Sequence, residues 1–405
     1  MIKRKYYLNQ IIEFIDKPFV KVLTGIRRSG KSTMLMLVRD ELLQRGIREE
    51  QILYINFESF DFAYLDHARA LYQYVKENKS DSFRSYVLLN EIQEVKDWEK
   101  AVNSFLVDFD IDIYITGSNS RLLSSELATY LAGRYVEFHI NTLSFSEYLI
   151  FKQHRTNSEI KDIYGEFDFF MRMGGFPALH TTEYSFETAY KVVYDIYSSI
   201  ILRDTVQRYN IRDVELLERV IKYVFDNIGN KFSAKNVADY FKSQQRKIDL
   251  NTVYNYLNAL EGAFLIHRLP RYDVKGKEIL KTLEKYFVSD QSLLYAVMGY
   301  KDRLIAGVLE NIVMLELKKK GFSVFVGKSG DQEIDFIAEK SEKRIYVQVA
   351  YLLPEPSTVN REFSPLLQLN DHYPKYVVTM DRTWTDNIEG IQHKHIADFL
   401  LMNDY

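Results

Sequence analysis

Cysteine is absent from the 405 residues. Disulfides, zinc knuckles and thiol catalysis are thereby excluded, and a reducing compartment suits the chain. Proline and glycine are sparse, at 7 and 17 residues, so there is no compositional basis for a large disordered region. Neither charge sign dominates: the formal net charge is -3, and any polyanion site must be local. Apolar runs fall short of the roughly 20 residues that span a bilayer. The basic start "MIKRKYYLNQIIEF" is followed by neither a long apolar run nor a small-residue cleavage site. These absences point to a cytoplasmic protein without membrane contact. The 8 His are scattered, and "HKH" at His393 to His395 reads as surface rather than metal site, with no carboxylate cluster nearby.

What is present is a well-packed composition, 46% hydrophobic and 27% charged, in a chain long enough for two to four domains. "FVKVLT" (19–24), "ILYINFE" (Ile52–Glu58), "YVLL" (Tyr86–Leu89) and "IDIYITGS" (Ile111–Ser118) read as strands separated by helical stretches. That alternation predicts an α/β fold with a parallel sheet covered on both faces. From about Phe151 the pattern turns helical. Residues 213–265 give three amphipathic helices, followed by a hairpin turning at Lys275-Gly276-Lys277, an order that suggests a winged helix. The tail adds a helix from Arg303, three strand-like runs, and a further helix, strand and helix. The predicted organisation is a P-loop core at 1–150, a helical connection at 151–211, a winged helix at 212–285 and a small α/β domain at 286–405.

The strongest local signal is "GIRRSGKST". Gly25, four residues, then Gly30-Lys31-Ser32 match the phosphate-binding loop that precedes a helix. Phosphate oxygens need converging backbone N–H groups, which requires glycines that let the main chain curl, and the following helix adds its positive end. Lys31 would neutralise the β- and γ-phosphates, and the Ser32 hydroxyl would ligate Mg²⁺. Ser29 and Thr33 complete the loop around ATP, and Arg28, like Arg27 beside it, could touch phosphate or face solvent. Glu91 ends the strand "YVLLNE", where the carboxylate that polarises attacking water belongs. In "TGSNS", Ser118 or Asn119 could sense the γ-phosphate. Arg134 could stabilise phosphoryl oxygens in its own site or a neighbour's, which would require an oligomer.

Taken together, "LTGIRRSGKST", "NEIQEV", "ITGSNSRLLSSELATYLAGRY", "LSFSEYL", "GGFP" (Gly174–Pro177), "EIDF" and "VQVAY" make the chain resemble bacterial and archaeal AAA-type P-loop ATPases that end in a nuclease-like domain. The resemblance spans nearly the whole chain. It implies an ATPase core using ATP and Mg²⁺, a winged helix, and a C-terminal fold similar to restriction endonucleases.

Two positions depart from that pattern. Asn90 stands where aspartate is expected, removing a negative charge opposite Mg²⁺ while leaving an amide oxygen; Glu58 on the adjacent strand could replace the charge. In the tail, Glu310 and Asp335 fit the first two places of a nuclease site, but the third reads Gln348-Val349-Ala350. Gln is a weak ligand for a hard cation and Ala does neither job of a lysine, so cleavage is not expected; Lys328 could substitute from another strand. The helix "LNTVYNYLNALEG" carries no basic residue. The hairpin Arg268 to Lys285 has six basic residues against three acidic ones, which would suit double-stranded DNA. Two readings follow: a slow ATPase that drives domain rearrangement, with DNA as its expected partner, or an ATP-gated switch that recruits a protein partner.

Overall fold

The computed structural model describes every residue except 121–129, 132, 246, 247, 385 and 386, and the side chains of all these but 281 and 282. The 121–129 part of the family string quoted above lies outside the described residues. The chain divides into two compact units, Met1–Thr142 with Gly262–Phe264, and Leu143–Glu261 with Leu265–Tyr405.

The first unit holds a five-stranded parallel sheet in the order β2-β3-β4-β1-β5. Its strands are β1 (Val20–Thr24), β2 (Ile52–Asn56), β3 (Ser85–Asn90), β4 (Ile111–Thr116) and β5 (Tyr135–His139). Every residue of β1, β3 and β4 is buried, as in strands covered on both faces; their apolar runs are interrupted by Lys21 of β1 and Asp112 of β4, which pair with each other. In β3, Val87 and Leu89 pack with the helices α3 (Ala68–Asn78) and α4 (Trp98–Asp108), while Tyr86 and Leu88 pack with α1 (Lys5–Ile12) and α2 (Lys31–Gln44). The fifth strand was not among the four expected. As an edge strand that among the described residues pairs with β1 alone, "YVEFH" needs no unbroken apolar run and so lacks that signature. Gly46, at φ 87°, closes α2.

The second unit opens on α5 (Phe145–Thr156), so the expected boundary at 150 falls inside a helix. "LSFSEYL" is a reciprocal cap: the Ser144 hydroxyl accepts from Glu147 N (3.4 Å), and the Glu147 carboxylate accepts from Ser144 N (3.1 Å). The next helices are α6 (Ile163–Met173) and α7 (Phe186–Ser199), the latter running into a π-helical stretch over Ile200–Gln207. The three expected amphipathic helices follow as α8 (Val214–Asp226), α9 (Ala234–Ser243) and α10 (Leu250–Gly262).

The expected hairpin is β6 (Ile266–Asp273) with β7 (Glu278–Val288), but it is not a separate wing. After α11 (Ser292–Met298) and α12 (Ile305–Lys319) come β8 (Ser323–Ser329), β9 (Gln332–Lys340) and β10 (Lys343–Val349), then α13 (Pro356–Leu367), β11 (Lys375–Thr379), β12 (Gln392–His395) and α14 (Ile396–Leu401). Strand β6 pairs in parallel with β8, making one seven-stranded mixed sheet in the order β12-β11-β10-β9-β8-β6-β7. The boundary expected after residue 285 therefore cuts β7, because ladder hydrogen bonds join the hairpin to the tail. "HKH" is not surface either. His393 and His395 are buried in β12, the first against Thr379 Oγ1 (2.8 Å), the second accepting from Ala397 N (3.2 Å).

The "GGFP" glycines have a steric cause. Gly174 sits at φ +78°, and a Cβ there would overlap the Asp290 carboxylate and approach Ser292 Cβ to 2.6 Å. Asp290 is fully buried and accepts from Gly175 N (2.8 Å) and Ser292 N (3.0 Å). Gly174→Ala is expected to destabilise the second unit by about 2–4 kcal/mol, through backbone strain plus overpacking. Urea denaturation of the full chain measures this, and an unshifted midpoint would contradict it.

Candidate functional site

The carboxyl ends of β1, β3 and β4 converge on the predicted loop. Gly25 (φ 136°) and Gly30 (φ 98°) adopt conformations that favour glycine, and a Cβ on Gly25 would overlap the Ile140 carbonyl oxygen. The 14-residue helix α2 begins at Lys31, directing its amino terminus into the loop. Lys31 is buried. Its ammonium donates to the Gly25 (3.0 Å) and Ile26 (3.1 Å) carbonyls and lies 3.9 Å from Glu91 Oε1. Ser29 Oγ is buried without a hydrogen-bond partner, so the loop holds a polar atom that a phosphate could satisfy. Ser32 is half-buried and Thr33 exposed in the first turn of α2; Arg28 is exposed at φ 67°, while Arg27 pairs with Glu58 (3.4 Å). Glu58 therefore answers to Arg27, which bears on its candidacy as a substitute for the charge missing at Asn90.

Strand β4 lies between β1 and β3, and Ser118 and Asn119, both fully buried, follow its carboxyl end. Glu91 itself is buried, at φ 56°, with its N–H donating to Thr116 Oγ1 (2.9 Å) and Oε2 accepting from Gln93 Nε2 (2.5 Å). Asn90 belongs to a lateral chain across three strand ends. Its Oδ1 accepts from Thr116 Oγ1 (2.9 Å), and its Nδ2 donates to Asn56 Oδ1 (2.8 Å). The amide oxygen predicted to face Ser32 and Mg²⁺ is thus engaged by threonine.

Arg134 does not join this site within its own chain. Tyr135 is in register with Val20 and His139 with Thr24, which puts Arg134 at the opposite end of β1, roughly 13 Å of strand from the loop. Its guanidinium reaches Asn103 Oδ1 at 3.4 Å.

Asn56, Gln93 and Thr116 went unnoticed in the sequence. Asn56 and Thr116 each close an apolar strand, and Asn56 stands in register with Asn90; a polar residue ending "ILYIN" was the available signal.

Fit to ATP and Mg²⁺ follows from these donors. Loop N–H groups, Lys31 and the α2 amino terminus suit the phosphates, and Ser32 offers a hydroxyl to the metal, which would supply charge neutralisation. The place next to Glu91 holds the Asn90 amide, so no second carboxylate stands there.

In the second unit, Glu310 on α12 and Asp335 on β9 do come together, but around Lys285 of β7. The Lys285 ammonium lies 3.0 Å from Glu310, 2.9 Å from Glu333 and 3.3 Å from Asp335. Burial opposes its charge, yet the three carboxylates hold its pKa above the ordinary lysine range. Burial pushes Glu310 and Asp335 up against the pull of Lys285. The same burial acts on Glu333, but Lys285 and Lys231 outweigh it and hold that carboxyl down. Gln348 is adjacent: Oε1 accepts from Asp335 N (3.2 Å) and Nε2 donates to Glu362 (3.1 Å). Lys328, the expected substitute, lies instead beside Asp273 (3.7 Å). The basic hairpin composition would put Lys285 on a DNA-facing wing. It is 2% exposed and Arg271 is 8% exposed, so two of the six basic residues in that stretch turn inward, and Arg268 faces Glu261 at 3.5 Å.

Residues 17–149 match the family described as an AAA domain, and residues 165–304 match a domain of unknown function. An uncharacterized protein of Haemophilus influenzae is 41% identical over 403 residues, covering 99% of each chain. Uncharacterized protein MJ1544 of Methanocaldococcus jannaschii is 31% identical over 367 residues, covering 87% of this chain and 79% of that one. Among solved structures, the Walker-type ATPase of Pyrococcus abyssi shares the fold, with TM-score 0.53 and 15% identity over 73% of this chain and 96% of the other. No helix among the described residues is long and apolar enough to cross a membrane. With the loop, the acidic strand and the five-stranded parallel order in place, the chain belongs to one family with these Haemophilus and Methanocaldococcus proteins, and its residues 17–149 to the AAA-type P-loop ATPases.

Proposed function

We propose that the protein binds ATP with Mg²⁺ and hydrolyses it slowly, using turnover to rearrange its helical and C-terminal parts. The observation that carries this reading is Lys31 held 3.9 Å from Glu91 in a glycine-curled loop at a helix amino terminus. Lys31 and the loop N–H groups bind and orient the phosphates, and Ser118 or Asn119 orients the water whose proton Glu91 accepts. Asn90 lowers magnesium affinity by withholding one charge. The cluster around Lys285 serves to hold strands β7 and β9 to α12 rather than to cleave phosphodiesters, since its carboxylates are already met by an internal ammonium and its third place is a neutral amide.

A second reading, an ATP-gated switch that scarcely turns over and recruits a protein partner, is favoured by the Gln93 amide seated on Glu91. Steady-state ATP hydrolysis with and without duplex DNA separates them. Turnover above that of Lys31→Ala is expected, and a rate equal to Lys31→Ala leaves only the switch. Stimulation by duplex would support contact through the exposed hairpin tip at Lys275 and Lys277. In the same assay Asn90→Asp is expected to lower the Mg²⁺ needed for half-maximal rate by several-fold, roughly 1 kcal/mol of added charge interaction. Asn56 must then turn its amide to donate to the new carboxylate, releasing Glu58 N (3.2 Å). An unchanged Mg²⁺ dependence would refute this account of position 90.

A further inference from the structure

The first residues of the chain reach the phosphate loop. Arg4, just before α1, is 5% exposed, and its guanidinium donates to three main-chain carbonyls in two separate segments. One is Ser29 O of the loop (2.9 Å); the others are Asn141 O (2.9 Å) and Thr142 O (3.2 Å), just past β5. The Tyr7 ring lies 4.7 Å from the guanidinium carbon, and the Tyr7 hydroxyl accepts from Asn141 N at 3.3 Å.

We propose that Arg4 is a positioning residue of the phosphate-binding loop, fastening its outer carbonyl edge to the exit of β5 so that the inner N–H groups stay aimed at phosphate. The inference rests on the ATP reading above. A loop that turns its N–H groups inward must turn carbonyls outward, and a buried carbonyl requires a donor. Ser29 is fully buried, and Arg4 supplies that donor. The planar fork of a guanidinium can serve two segments of backbone at once, whereas a lysine ammonium, a compact point charge, cannot match that geometry. The same β5 exit already meets the loop and the strand that feeds it: Ile140 N donates to Thr24 O at the end of β1 (2.8 Å), and the Ile140 carbonyl leaves no space for a Cβ on Gly25. Arg4 closes this arrangement at the far end of the loop, next to Gly30 and Lys31.

The test uses the full chain with Arg4→Met and Arg4→Lys, compared with wild type and Lys31→Ala. Binding is read by titration with a fluorescent ATP analogue, and turnover by steady-state hydrolysis. Expected for Arg4→Met is a KM and Kd for ATP raised about tenfold, the scale of losing hydrogen bonds to a charged donor, with kcat within about twofold. Arg4→Lys should fall between Arg4→Met and wild type. A merely structural role would lower kcat per mole through a smaller folded fraction and leave KM unmoved; that result overturns the proposal. If Arg4→Met does not fold, Arg4→Lys decides alone: a raised KM supports positioning and an unchanged KM refutes it. Wild type binding no better than Lys31→Ala would sink the ATP reading and this inference together. Wild type and Arg4→Met binding equally well would sink this inference only.

Discussion

In a Glu91→Gln protein, ATP is expected to stay bound while hydrolysis falls by about 10²–10⁴-fold, the range for removal of a general base. Glutamine keeps the size of the side chain and can still meet Gln93, so the buried strand end is preserved. What it loses is the ability to accept a proton from water. Lys31→Ala should behave differently. It removes the one ammonium that the loop directs between the Gly25 and Ile26 carbonyls and Glu91, and with it the charge that meets the phosphates. Affinity itself should then drop about 10–100-fold, the worth of strong charge-assisted hydrogen bonds. Isothermal titration with ATP, run beside single-turnover hydrolysis, separates the two outcomes. Equal loss of binding in both variants would show that Glu91 supports the loop instead of the chemistry.

The second large effect concerns stability. Lys285→Met is expected to cost about 3–5 kcal/mol, because it strands Glu310, Glu333 and Asp335 together without their common cation. Glu333 retains Lys231 at 3.0 Å, so the uncompensated charge falls mainly on Glu310 and Asp335. Burial already holds both of these carboxyls above their ordinary range, and losing the ammonium raises them further. A carboxyl whose pKa is higher in the folded than in the unfolded chain binds more protons when folded, so stability falls as pH rises through the folded value. The deficit of Lys285→Met relative to wild type should accordingly be larger at pH 8 than at pH 5. Urea midpoints at the two pH values measure it; an equal deficit would mean that the carboxylates do not share Lys285 as described. Lys285→Met with Glu310→Gln should recover part of the loss, since the second change removes one of the stranded charges.

What the sequence determined by itself is local. The loop at Gly25 to Thr33, the strand that runs into Glu91, the helix start at Lys31 and the hairpin turn at Lys275 to Lys277 are each set by a few neighbouring residues. Glycine is needed where φ is positive, apolar residues run on where a strand is buried on both faces, and a cap follows from a serine three residues before a glutamate. Those constraints leave a trace that can be read without the fold. Strand β5 left no such trace because an edge strand tolerates polar residues such as Glu137 and His139.

Tertiary structure alone decided the rest. Lys285 meets Glu310 across 25 residues and Asp335 across 50, and Arg4 meets Thr142 across 138. Such pairings depend on strand order and register, and a shift of one residue would turn Lys285 to the other face of the sheet. The same dependence moved Arg134 to the far end of β1, turned Lys285 and Arg271 inward from a stretch that looked basic, and joined the hairpin to the C-terminal sheet. It also tied the amide of Asn90 to Asn56 and Thr116. Composition and spacing cannot reveal which side chain a buried charge will meet, because that partner is chosen by packing at a distance along the chain. Low dielectric then makes the choice energetically large, and in this protein it separates a nucleotide site legible from nine consecutive residues from a polar cluster that exists only once the second sheet has formed.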